Sequence, residues 1–133
     1  DWLTDKAYTV TTDLINSGTE FNYIFANNDM MAQGCYNALK DAGKENIPIV
    51  STGGSPDGFK MLQDGIEAAN MTAPVSIQGV KTFMNLYNKV ALGEDPAEKF
   101  TALPVIPVSA DDTSSYIAWD DYAAAYKYLG ENK

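Results

Sequence analysis

Three short polar junctions carry the residues best suited to bind something: Asn27-Asn28-Asp29, Gly53-Gly54-Ser55 and Thr72-Ala73-Pro74. At each one an apolar run stops and a helical pattern starts. The free backbone N–H groups and positive dipole of a helix N-terminus therefore face the same place as the polar side chains. A carboxamide such as Asn28 both donates and accepts hydrogen bonds, which suits a neutral polyhydroxylated ligand whose hydroxyls do the same. Bond-breaking chemistry is not provided for. The chain has no histidine, which excludes His-based triads, HExxH zinc sites and imidazole proton transfer, and neither a nucleophile with its base nor a metal cluster is visible. The residues describe a binding protein that uses no cofactor and is not an enzyme.

Plainer roles compete for the same residues. Asn28 or Asp29 could serve only as a helix N-cap. The stretch STGGSPDG looks like a phosphate loop, but it has no GK[ST] ending and is not GxGxxG. Phe83, Tyr87, Tyr122 and Tyr126 recur at four-residue spacing, which reads as core or helix-face packing. The pairs Asp111-Asp112 and Asp120-Asp121 lack a calcium-loop pattern and read as caps and a solvated face.

The elements that must position these junctions alternate. Helices are predicted over 3–16, 29–42, 56–64 and 75–92, with a last one in DYAAAYKYLG, capped by Asp120 or Asp121. Gly18, Gly43, Gly65 and Gly93 stop the first four. Ser55 is the N-cap of the third, with Pro56 at its first position. Strands are predicted over 21–26, 47–52, more weakly 66–72, and 102–110, where two prolines imply an edge strand or a crossing segment. This order implies an α/β fold with a Rossmann-like parallel sheet flanked by helices. In such sheets ligands bind beyond the carboxyl ends of the strands, where all three junctions fall.

Composition narrows the partners. A formal charge of −9 disfavours nucleic acid and anionic membranes, both of which need positive patches. The single Cys35 allows no internal disulfide, and its place in an apolar helical pattern reads as buried packing. No stretch approaches the ~20 apolar residues of a membrane span. The chain opens at Asp1-Trp2 without a methionine or signal peptide, so it reads as a processed or excised piece of a longer protein.

The segment YIFANNDMMAQGCYNALKDAGKENIPIVSTGGSPDGFKMLQDG resembles the C-terminal half of type I periplasmic sugar-binding proteins, the ribose- and galactose-binding components of ABC transporters. Strand, Asn-Asp, a Met-Ala helix and then Ile-Pro-Ile-Val with a Gly-x-Pro-Asp loop follow the family order through about residue 108. The resemblance implies a two-lobed protein that closes on a sugar, working extracytoplasmically, in the periplasm or anchored to the cell surface by a lipid, with an ABC transporter permease. It implies that Asn28 meets sugar hydroxyls, which leaves Asp29 to cap the helix Met30–Ala42, and that Trp2 stands near the cleft. At Gly53 the family usually has a ligand-binding aspartate, and at Ala73 ribose-type members have a hinge glutamine. Ribose or galactose specificity is therefore not transferred. Ser51, Thr52 or Ser55 could supply substitute contacts.

By the same resemblance, residues 1–72 form the C-terminal lobe. Residues 73–103 form a hinge crossing and a helix packing on the missing N-terminal lobe, and 104–133 a return strand and C-terminal helix. Without that lobe the helix could pack differently or the fragment self-associate. The competing reading is the effector-binding domain of a LacI-type transcription regulator. Ser-Thr-Gly-Gly after the middle strand, and the long tail after residue 108, speak against it.

Overall fold

A computed structural model describes residues 1–131 apart from positions 97 and 101. In chain order the elements are α1 (Thr4–Asn16), β1 (Ile24–Ala26), α2 (Asp29–Asp41), β2 (Ile49–Gly53) and α3 (Pro56–Gln63). Then come β3 (Glu67–Thr72), α4 (Val75–Tyr87), a π-helical turn (Asn88–Leu92), β4 (Ile106–Ser109) and α5 (Tyr122–Glu131). The four strands form one sheet in the order β1-β2-β3-β4.

Local chemistry explains most element boundaries. Asn28 accepts a hydrogen bond from the backbone N–H of Met31, and Ser55 from that of Gly58, so both are true N-caps. Asp121 accepts from Ala124 N–H at the start of α5. Asp112 accepts from Ser114 N–H, and the Ser114 side chain first and this backbone bond second hold its carboxyl below the usual range. The first predicted strand is shorter than expected, because Phe21 packs on the core from outside the sheet. The predicted helix over 75–92 ends as α at Tyr87 and widens into the π turn, with Gly93 left-handed at φ +73°.

The sheet departs from the all-parallel expectation. β1, β2 and β3 are parallel, but β4 runs antiparallel to β3, pairing Thr72 with Ile106 and Ala69 with Ser109. The chain leaves β3 at its C-terminal end and re-enters the sheet at that same end, so β4 must run backwards. Its edge position is the one the prolines required: Pro107, opposite Met71, cannot donate to a ladder.

The core is built in patches. Leu39 and Ala32 of α2 cluster with Ile49 of the sheet and Met61 of α3; Leu62, Val108 and Tyr116 form a second cluster; Ile77, Ile117 and Ala125 join α4 to α5. α1 buries Ala7 and Thr11 against α2 and leaves Val10 and Leu14 exposed. The two helices approach so closely that a side chain on Gly34 would strike the backbone carbonyl of Thr4. Cys35 is buried at this contact and accepts a hydrogen bond from the Thr11 hydroxyl, with its thiol pKa raised by burial. The aromatic series is not core. Phe83, Tyr87, Tyr122 and Tyr126 are all exposed; Phe83 and Tyr87 stack on each other at 6.3 Å. Among the described residues, α4 finds its partners on the side around Ile77.

Candidate functional site

The three junctions do converge at the C-terminal ends of β1, β2 and β3. Asn28 precedes α2, Gly53 ends β2, and Ala73 follows β3, donating its backbone N–H to the Gly53 carbonyl at 2.9 Å. The roles inside them differ from the expected ones. Asn28, not Asp29, caps α2: its Oδ1 accepts from Met31 N–H at 2.8 Å. Its Nδ2 remains the part of the amide that can face a ligand. Asp29 turns inward and is buried.

The Asp29 carboxylate organises the floor of the site. Its Oδ2 accepts from the backbone N–H of Gly54 (3.2 Å) and Ser55 (2.8 Å), and its Oδ1 from Asn70 Nδ2 (2.7 Å). The single hydroxyl proton of Ser51 lies within reach of Asp29 Oδ1 (3.0 Å) and of Glu67 Oε1 (2.8 Å), and can serve one of them at a time. Asn70 Nδ2 also donates to Glu67 Oε2 at 2.9 Å, which leaves Asn70 Oδ1 buried without a hydrogen-bond partner among the described residues. Two carboxylates thus share one buried network with no cation among its hydrogen-bond partners. Burial, the main cause, and the nearby Asp29 charge push the Glu67 carboxyl up to about 7, although hydrogen bonds from Asn70 and Ser51 oppose the shift. Tyr116, whose hydroxyl donates to the Ser55 carbonyl at 2.7 Å, has its phenol pKa raised by burial first and then by the Asp29 and Glu67 charges.

This network removes several expected ligand contacts. The N–H groups of Gly54 and Ser55 are taken by Asp29. Ser51 is fully buried, Thr52 donates to the Met71 carbonyl, and the Ser55 hydroxyl caps α3. It also accounts for Gly53. A Cβ there would lie 2.5 Å from Asp29 Oδ2, so no side chain fits. Gly58 abuts the same carboxylate from the other side.

An open cleft of about 430 Å³ runs from this floor along the groove between α2 and α3, lined by Asn28, Ser55 and Trp119 at the strand ends and by Lys60, Asp64 and Ile66 farther along. Trp119 was not singled out from the sequence. Its backbone N–H donates to the Gly54 carbonyl at 3.0 Å and its indole Nε1 to the Gly53 carbonyl at 3.2 Å. Trp2 is 67% exposed and does not line the cleft, although Thr4, two residues on, does. Ala73 is exposed at the strand end. Sequence reasoning also missed Glu67 and Asn70, and it gave Ser51 to a ligand where the structure gives it to this buried network. The available signal was a glutamate and an asparagine inside the short strand IEAANMT, where a buried charge has to find partners. Among the described residues no group of side chains could hold a metal ion.

Comparison with known proteins places this geometry. Residues 1–95 match the family profile described as a periplasmic binding protein domain. The chain is 34% identical over 98 residues to the ribose import binding protein of Escherichia coli, covering 71% of this chain and 32% of that protein. It is 36% identical over 77 residues to the D-allose-binding periplasmic protein of the same organism, covering 57% of this chain and 24% of that protein. An ABC transporter solute binding protein from Bacillus halodurans, solved with bound myo-inositol, superposes with a TM-score of 0.77 at 22% identity, over 93% of this chain and 41% of that one. The chain spans about a third of the length of the curated relatives it matches first.

Proposed function

Because the chain belongs to the periplasmic binding protein family, we propose that it is part of the solute-binding component of an ABC transporter and holds a neutral sugar or polyol in a cleft between two lobes. The observation that carries this reading is the strand-end cleft itself. Its floor carboxylate is fully engaged within the protein, and the half-buried Asn28 amide keeps Nδ2 for a ligand hydroxyl. A phosphate would require the N–H groups that Asp29 occupies. Residues 1–72 act as the C-terminal lobe, 73–103 as the crossing toward an N-terminal lobe, and 104–133 as the return. Asn28 is the principal contact, with Gly53 and Ala73 at the neighbouring strand ends, and the rest of the ligand is held by the second lobe. The protein works outside the cytoplasm, delivers solute to a permease and catalyses nothing.

Thermal shift of the intact protein against D-ribose, D-allose, xylitol and myo-inositol tests the reading. A ligand present at about 100 times its Kd stabilises the native state by about 2.7 kcal/mol, a clear rise in Tm. We expect D-ribose to bind less tightly than at least one other member of the panel, since Gly53 and Ala73 offer neither carboxylate nor carboxamide. No shift with any carbohydrate overturns the reading.

A further inference from the structure

We propose that Trp119 is the aromatic surface on which the ligand rests, and that it sets specificity for ring compounds with an apolar face. The inference rests on the sugar-binding reading above. Two hydrogen bonds fix the residue to the β2 end of the cleft: backbone N–H to Gly54 O at 3.0 Å and indole Nε1 to Gly53 O at 3.2 Å. The indole N–H is therefore already used, and what the ring offers a ligand is apolar surface. That surface is 40% exposed and forms part of the cleft wall with Asn28 and Ser55.

The glycine pair is what makes room for the ring. A Cβ on Gly54 would come within 3.3 Å of Trp119 Nε1 and 3.5 Å of Cδ1, and its backbone, at φ +108°, favours glycine in any case. At Gly53 a side chain is blocked by Asp29. Where the resemblance places a carboxylate acceptor, this chain therefore presents an aromatic plane delivered from the segment between β4 and α5. A carboxylate selects hydroxyls; an aromatic plane selects the weakly hydrated C–H face of a ring. Pinning the ring in advance lowers the ordering cost of binding. The favoured ligands are pyranoses or cyclitols rather than linear polyols.

The test is isothermal titration of the intact protein and its W119F and W119L variants with D-allose, myo-inositol and linear xylitol. For the ring compound that wild type binds best, W119L should lose about tenfold or more in affinity and W119F no more than about threefold, tenfold being 1.4 kcal/mol. In parallel, sugar addition should change the tryptophan emission of wild type but not of W119F, a readout available even if W119L does not fold. Unchanged affinity in W119L, or the full emission change in W119F, overturns the role of Trp119 and leaves the sugar-binding reading standing. Wild-type preference for xylitol over both rings overturns the selectivity. Wild type binding none of the three overturns the sugar-binding reading and this proposal with it.

Discussion

Asp29 accepts hydrogen bonds from two backbone amides and the Asn70 side chain, and Ser51 lies within reach of the same carboxylate. Asp29→Ala would leave the Gly54 and Ser55 N–H groups buried and unpaired. Each such group costs roughly 1–3 kcal/mol, so urea unfolding should show a loss of about 3 kcal/mol or more. Glu67 has the opposite character. The folded protein keeps its proton up to about pH 7, whereas a free glutamate releases it near 4.5. The folded state therefore holds more protons between those values, and this group's contribution to stability falls as pH rises from about 4.5 to about 7. At 1.36 kcal/mol per pH unit the loss is about 3 kcal/mol. Glu67→Gln should flatten that part of the stability–pH profile and match or exceed wild type at pH 8, as read from urea midpoints across pH. A variant with the wild-type pH slope would show that Glu67 does not titrate in this window.

At the scale of elements, the α1–α2 contact is the most exacting. Gly34→Ala gains about 1 kcal/mol of helix propensity but forces the two helices apart at Thr4. Overpacking typically costs about 1–3 kcal/mol, so a net loss of up to about 2 kcal/mol is expected in chemical denaturation. Elements were legible in the sequence wherever their chemistry is local. Ser55 with Pro56, Asp121, Gly65 and Gly93 mark real helix ends. What depends on distant partners was not legible. Asn28 and Asp29 are adjacent and both able to cap, and only the position of β2 and β3 decides which of them turns inward. Ser51 and Asn70 meet because β2 and β3 pair in that register; alternation within either strand carries no trace of it. The direction of β4 is set by where a long excursion returns, and the buried face of α1 by the notch at Gly34. Trp119 reaches the cleft only through the path of the segment before α5.

Among the described residues of the molecule, two apolar faces stand uncovered. One lies along α1 and the edge strand β1, where Val10, Leu14, Tyr23 and Phe25 are exposed; the other lies on α4 and its π turn, where Phe83 is 66% and Val90 74% exposed. The chain spans about a third of its relatives, and the proposed second lobe is the occupant for α4. Amide exchange on α4 should then be at least about tenfold slower in the intact protein than in this 133-residue chain, since exchange reports local opening; equal rates would mean the face stays bare. The backward run of β4 has a mechanical consequence for that lobe. Residues 73–105 leave from Thr72 and return at Ile106, neighbours in the ladder joined by a further bond from the Thr72 hydroxyl to the Ile106 carbonyl at 3.0 Å. Whatever rides on this excursion hangs from two adjacent tethers. Such a pair allows swinging about the line through its two anchor points and resists torsion across it. Trp119, which also lines the groove beside Val75 and Ser76, sits next to that line, where a swing of the second lobe would change what the ring faces.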